Sequence, residues 1–122
     1  MKTPENISQQ ENEPKGSRKI SHEETERFDR EGFYGLIYFP DNADTGFGAL
    51  EVHVDGDHPE KLVGVETRMY RVEEGEGTFT LDGISHPMTP GDVFIVKRGS
   101  KYSYTGKMKL FEINVPLMEE GE

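Results

Sequence analysis

Glu66, Arg68 and Tyr70 stand two residues apart in the run E-T-R-M-Y-R-V. On a β-strand that spacing puts all three, with Val72, on one face, and Thr67, Met69 and Arg71 on the other. Tyr102 and Tyr104 share a face by the same rule, and Glu112 lies in the last apolar run. A guanidinium among phenols and carboxylates offers donors and flat apolar faces, which suit a carboxylate, a phosphate or a polyhydroxylated sugar. An inward arginine is costly unless paired, so Arg68 needs Glu66, Glu112 or an anionic ligand. If its partners are internal and the tyrosines fill the interior with their hydroxyls bonded, the same residues describe a closed core.

The histidines offer less. His22 and His86 read as surface residues, and His53 and His58 flank a D-G-D stretch with Asp55, Asp57 and Glu60 nearby. That cluster has metal-like chemistry, but an acidic turn is ordinary loop composition and no metal site is expected. His53 with Asp55 is the sole local base-and-orienter pair, and no nucleophile, base and orienter set stands out. Tyr70 or Tyr102 would serve as a general acid or base if a neighbouring arginine lowered its pKa.

The elements that must position these groups are strands. Residues 66–104 alternate short β-branched and aromatic runs with turn residues, the pattern of an all-β meander. Residues 67–73 form one run, ended by Gly75-Glu76-Gly77, and residues 78–81 alternate with Phe79 and Leu81 on one face. Asp82-Gly83 predicts a two-residue hairpin, and Pro90-Gly91 a second turn. Residues 92–96 and, after Gly99, 101–104 follow as strands. Upstream, residues 33–39 read as a strand closed by Pro40-Asp41-Asn42. Residues 47–54 follow, with Leu50, Val52 and Val54 opposite Glu51 and His53. Residues 55–59 read as a loop and residues 62–65 lead into the meander. Gly106-Lys107 reads as a turn before a closing strand over 108–115, in which Leu110 and Glu112 oppose Phe111 and Ile113. Residues 1–31 read as a polar tail, mostly disordered, with a short helix from the Ser21 capping box to about Glu31. Residues 32–117 are the globular part, and 118–122 a frayed acidic tail.

The order of strand, G-E-G, strand, D-G, short strand, P-G-D-V and a further apolar strand resembles the cupin family over roughly residues 50–116. The resemblance implies a single jelly-roll β-barrel, usually a homodimer, whose interior is the ligand site and often holds a metal through three histidines and a glutamate. In that register the glutamate falls on Arg68, and the first two histidines on or near Leu62 and Gly64, or Lys61 and Val63. Gly91 and Gly99 fit the second motif, but its proline falls on Lys97, its histidine on Tyr102 and its asparagine on Gly106. No ligand of the metal is kept, so no metal or other cofactor is expected. The register turns Glu66, Arg68, Tyr70, Tyr102, Tyr104 and Glu112 toward a small organic ligand, anionic or sugar-like. Lys97-Arg98 reads as a solvated loop end, or as a pair attracting an anion to the barrel mouth. Two other functions fit the same fold: an isomerase, epimerase or lyase of a sugar or small acid, and a barrel used only for dimerisation.

A net charge of −10 argues against nucleic acid and anionic membrane surfaces as partners. There is no cysteine, hence no disulfide or thiolate chemistry. No apolar run approaches the ~18 residues of a membrane span, and no secretory signal is read at the start. A cytoplasmic protein is expected.

Overall fold

The computed structural model describes residues 16–40 and 44–116. Residues 1–15 of the tail expected over 1–31, the tail expected at 118–122, and the turn residues Asp41 and Asn42 lie outside them. Seven antiparallel strands carry the fold: β1 (Glu26–Arg30), β2 (Phe33–Phe39), β3 (Gly48–Leu62), β4 (Glu66–Leu81), β5 (Ile84–Met88), β6 (Val93–Val96) and β7 (Lys101–Pro116). They pair in the order β1-β2-β3-β7-β4-β5, with β6 on the other edge of β4 beside residues 68–71. No helix among the described residues is long and apolar enough to cross a membrane.

The three long strands cross a shared line of glycines. Gly56 pairs with Gly106, and Gly106 with Gly77. Gly56 and Gly106 have φ of 143° and 148°, which side chains rarely adopt. A Cβ on Gly106 would run into the Glu76 carbonyl and lie 2.6 Å from the Gly77 Cα. At this line the sheet folds over, and its halves meet: Phe79 beyond the line stacks on Phe94 of β6 at 4.4 Å between centroids. Tyr70, Val72, Phe79, Val96, Tyr102 and Leu110 fill the interior. The result is a single jelly-roll barrel.

Two expected breaks in the chain are therefore corrected. Residues 55–59 are not a loop, and Gly106-Lys107 is not a chain-reversing turn. Both lie inside paired strands. Their glycines mark a bend in the sheet, and the ladder on either side satisfies the backbone groups that a loop would leave to water. The expected reversals elsewhere are present. Asp82 and Gly83 take φ of 50° and 84° in the hairpin closed by Leu81 and Ile84. The Asp92 N–H donates to the Thr89 carbonyl at 3.0 Å across Pro90-Gly91.

The expected helix to Glu31 is also corrected. Ser21 N–H does donate to Glu24 Oε1 at 2.7 Å, but the turn stops after His22–Glu24 and β1 follows. Pairing with β2 drops the Phe28 ring directly onto Gly35, where no Cβ stands in the way. A helix would have no such surface on which to bury that ring.

Gly106→Ala should lower stability by about 3 kcal/mol or more, because both backbone conformation and space forbid it. Gly83→Ala, where a Cβ meets nothing within 4 Å, should cost only the conformational strain of about 1 kcal/mol. Urea denaturation of the two variants measures the difference, and equal losses would contradict the fold line.

Candidate functional site

Arg68 sits on β4 facing the interior, paired in register with Asn114 of β7. Its Nε donates to Glu66 Oε2, while Nη1 donates to Tyr102 Oη at 2.8 Å, Tyr70 Oη at 3.2 Å and Glu112 Oε2 at 3.3 Å. Tyr70 Oη donates in turn to Tyr102 Oη at 2.8 Å. Burial alone would lower the guanidinium pKa, but the oxygens of Tyr70, Tyr102 and Glu112 outweigh it and hold the pKa above its ordinary value. Burial raises the Glu112 carboxyl against the pull of Arg68, and the net shift is upward. Five of the six residues singled out from the sequence therefore form one network. Tyr104, the sixth, is stacked on Tyr102 and edge-on to Tyr70, and no hydrogen bond among the described residues uses its hydroxyl.

A lowered tyrosine pKa does not occur. Burial, with the nearby Glu112 charge, raises Tyr70 and Tyr104, and burial raises Tyr102 despite Arg68. These phenols stay protonated and act as donors, which removes the expected tyrosine base.

Beside the network a cavity of about 320 Å³ opens between the sheet halves. Arg68, Glu112, Asn114 and Tyr104 line it together with Phe28, Arg30, His58 and Lys61. Of two larger hollows, one shares Arg30, Phe33, His58 and Lys61 with this cavity, and the other is bordered by Tyr34, His53 and Lys109. Asn114 Oδ1 is buried and has no hydrogen-bond partner among the described residues, so the cavity wall carries an unused acceptor.

His58 is the residue that sequence reasoning missed. Its ring lies 5.1 Å from Tyr102, 4.8 Å from Tyr104 and 5.0 Å from Phe33. Its Nδ1 is 2.7 Å from the Pro59 carbonyl oxygen. Burial lowers the imidazole pKa, the Pro59 bond opposes that, and the Arg68 and Lys61 charges lower it further, leaving it below its ordinary value. A signal was present, because extending the alternation of Leu50, Val52 and Val54 by two steps lands on His58. Reading residues 55–59 as a loop cut that alternation off.

His53 faces the other way. It stacks on Tyr34 at 4.6 Å, and its Nε2 lies 3.4 Å from Glu51 Oε2 on the outer surface. It does not meet His58, and no Asp55 contact orients it among the described residues. Glu51 is bound there by His22 Nε2 at 2.9 Å and Lys109 Nζ at 3.1 Å.

The donor set does not fit the metal that the cupin resemblance implies. A fixed guanidinium stands where a carboxylate ligand would be, and its charge opposes a divalent cation. Among the described residues no three His, Cys, Asp or Glu side chains are grouped to hold one.

Several solved structures share this architecture. Streptomyces Pac13, described as a nucleoside dehydratase and solved in variant form with uridine, is 25% identical over 85% of this chain and 86% of its own, with a TM-score of 0.74. An RmlC-like cupin from Shewanella frigidimarina is 22% identical over 85% and 96%, at 0.70. KdgF from Halomonas sp. is 15% identical over 85% and 97%, at 0.72. No protein-family model and no curated protein matches the sequence.

Arg68→Ala should destabilise the fold by about 3–5 kcal/mol at neutral pH, because it leaves buried carboxylate charge unpaired. Glu112 already has a raised pKa and without Arg68 would rise further. The loss should therefore shrink as the pH falls and that carboxyl takes up a proton. Denaturation of wild type and variant across pH measures this, and a loss that is small or independent of pH would contradict the network.

Proposed function

We propose that this chain, a member of the cupin superfamily, uses its barrel as the active site of a lyase that eliminates water from a nucleoside-like sugar, with neutral His58 as the base. One observation carries the reading. A carbonyl oxygen only accepts, so the Nδ1 that contacts Pro59 must hold the imidazole hydrogen. That leaves Nε2 with its lone pair free, on a ring that lines the cavity.

The neighbours narrow the roles. Tyr70, Tyr102 and Tyr104 are held protonated, Arg68 is permanently charged, and Glu112 is engaged by Arg68. His58 is thus the cavity group suited to take up and return a proton near neutral pH. In the proposed step Nε2 removes a proton from a sugar carbon beside a carbonyl, which makes that hydrogen acidic. The electron pair forms a carbon–carbon double bond as the hydroxyl on the next carbon departs, and the imidazolium returns its proton so that water leaves. The Tyr104 hydroxyl and Asn114 Oδ1, which have no hydrogen-bond partner among the described residues, can bind substrate hydroxyls or N–H groups, and the Arg68–Tyr network holds the wall rigid.

The likeness to Pac13 supports the substrate class. Its structures with uridine carry replacements of one histidine and of two tyrosines 34 residues apart, the histidine 13 residues before the first. Tyr70 and Tyr104 are also 34 apart, and His58 stands 12 before Tyr70.

Incubation with nucleosides that carry a carbonyl on the sugar should yield an unsaturated product, seen by the absorbance of the new conjugated double bond. His58→Gln should lower kcat/KM by about 10²-fold or more with the circular dichroism spectrum unchanged. The acid limb of the pH profile should fall below the ordinary histidine value of about 6.5, because His58 loses activity by gaining a proton and its pKa is lowered. Full activity in the glutamine variant would refute the assignment.

A further inference from the structure

The cavity has cations at its mouth that the network does not use. Arg68 commits its Nε and Nη1 to Glu66, Glu112 and two phenols, and the two carboxylates offset its charge, so it is poorly placed to take an anion from outside. Arg30 and Lys61 differ. Arg30 ends β1 with its guanidinium 4.8 Å from the centre of the Phe28 ring, and one Nη1 hydrogen goes to the Asp29 carbonyl at 2.9 Å. Lys61 follows the irregularity between His58 and Lys61 in the β3–β7 ladder. Odd spacing on a regular strand would put His58 and Lys61 on opposite faces, and the one extra residue of the bulge brings both to the cavity. Neither Arg30 nor Lys61 makes an ion pair among the described residues.

We propose that Arg30 and Lys61 bind an anionic substituent of the substrate, a phosphate or a carboxylate, while its sugar reaches His58. The inference rests on reading the barrel as an active site, and it adds charge to the substrate that site accepts. The two side chains come from different strands, β1 and β3, and border both the cavity and the hollow outside it. His58 borders both spaces as well. Glu31, Asp55, Asp57 and Glu60 line that hollow too, and the whole chain carries −10. An anion approaching this protein is repelled in general, so a local pair of uncommitted cations is what would make the mouth selective for it. A fork of guanidinium donors beside a mobile ammonium suits phosphate or carboxylate oxygens, and an uncharged sugar gains little from either.

Calorimetric titration of the full chain with uridine, uridine 5′-phosphate and the 5′-carboxylate of uridine separates the outcomes. At least one anionic ligand should bind about tenfold more tightly than uridine, the ratio expected for charge-assisted hydrogen bonds. That ratio should fall toward one in the Arg30→Ala/Lys61→Ala double variant, and should shrink with added salt. Both anionic ligands binding no better than uridine would overturn the anion site while leaving the active-site reading standing. An advantage that survives the double variant would also overturn it, by placing the anion elsewhere. Failure of all three to bind would overturn the anion site and the nucleoside reading together, whereas His58→Gln kinetics tests the base on its own.

Discussion

A guanidinium buried inside a small β-barrel must be satisfied on every side, and much of this structure follows from that constraint. Arg68 takes one carboxylate from its own strand, a second from the near half of β7 and a phenol from the far half. Tyr102 reaches it only because the sheet folds at Gly56, Gly106 and Gly77. Such a set adds little net stability over an apolar core, yet breaking it is costly. Its consequence is geometric. The two sheet halves are held in one register by groups that tolerate little displacement.

The same constraint shapes the chemistry. With Arg68 neutralised internally, the uncommitted positive charge at the cavity is that of Arg30 and Lys61, and the phenols of the wall are pushed toward permanent protonation. The positive charge of Arg68 still reaches His58 and helps to keep it neutral. A metal is opposed at the same place, since the guanidinium fills the ligand position.

Much of this was legible in the sequence, and the exceptions share one cause. Two-residue spacing correctly grouped Glu66, Arg68 and Tyr70, and separately Tyr102 and Tyr104, because alternation is set by backbone geometry alone. D-G and P-G marked real reversals, since their glycines take positive φ in tight turns. Gly56 and Gly106 misled for the same reason. Glycine permits a turn, but it equally permits two strands to bend together, and only the long-range ladder distinguishes these. Losing β3 past Val54 hid His58 and Lys61. The helix expected before Gly32 failed likewise: Ser21 and Glu24 formed their cap contact, but the edge of β2 and the space over Gly35 drew Phe28 into the sheet. Whether Arg68 met an internal acid or a ligand was left open by spacing, because spacing fixes faces and not distances across the barrel.

The lyase reading requires His58 to be a neutral imidazole with its hydrogen on Nδ1 and its lone pair toward the cavity. Nitrogen-detected NMR of the histidine rings, followed as a function of pH, addresses this directly. The expected result is the Nδ1–H tautomer for His58 and a titration midpoint below the ordinary histidine value. An Nε2–H tautomer, or a midpoint above that value, would mean that the ring cannot act as the base and that the lyase reading is wrong.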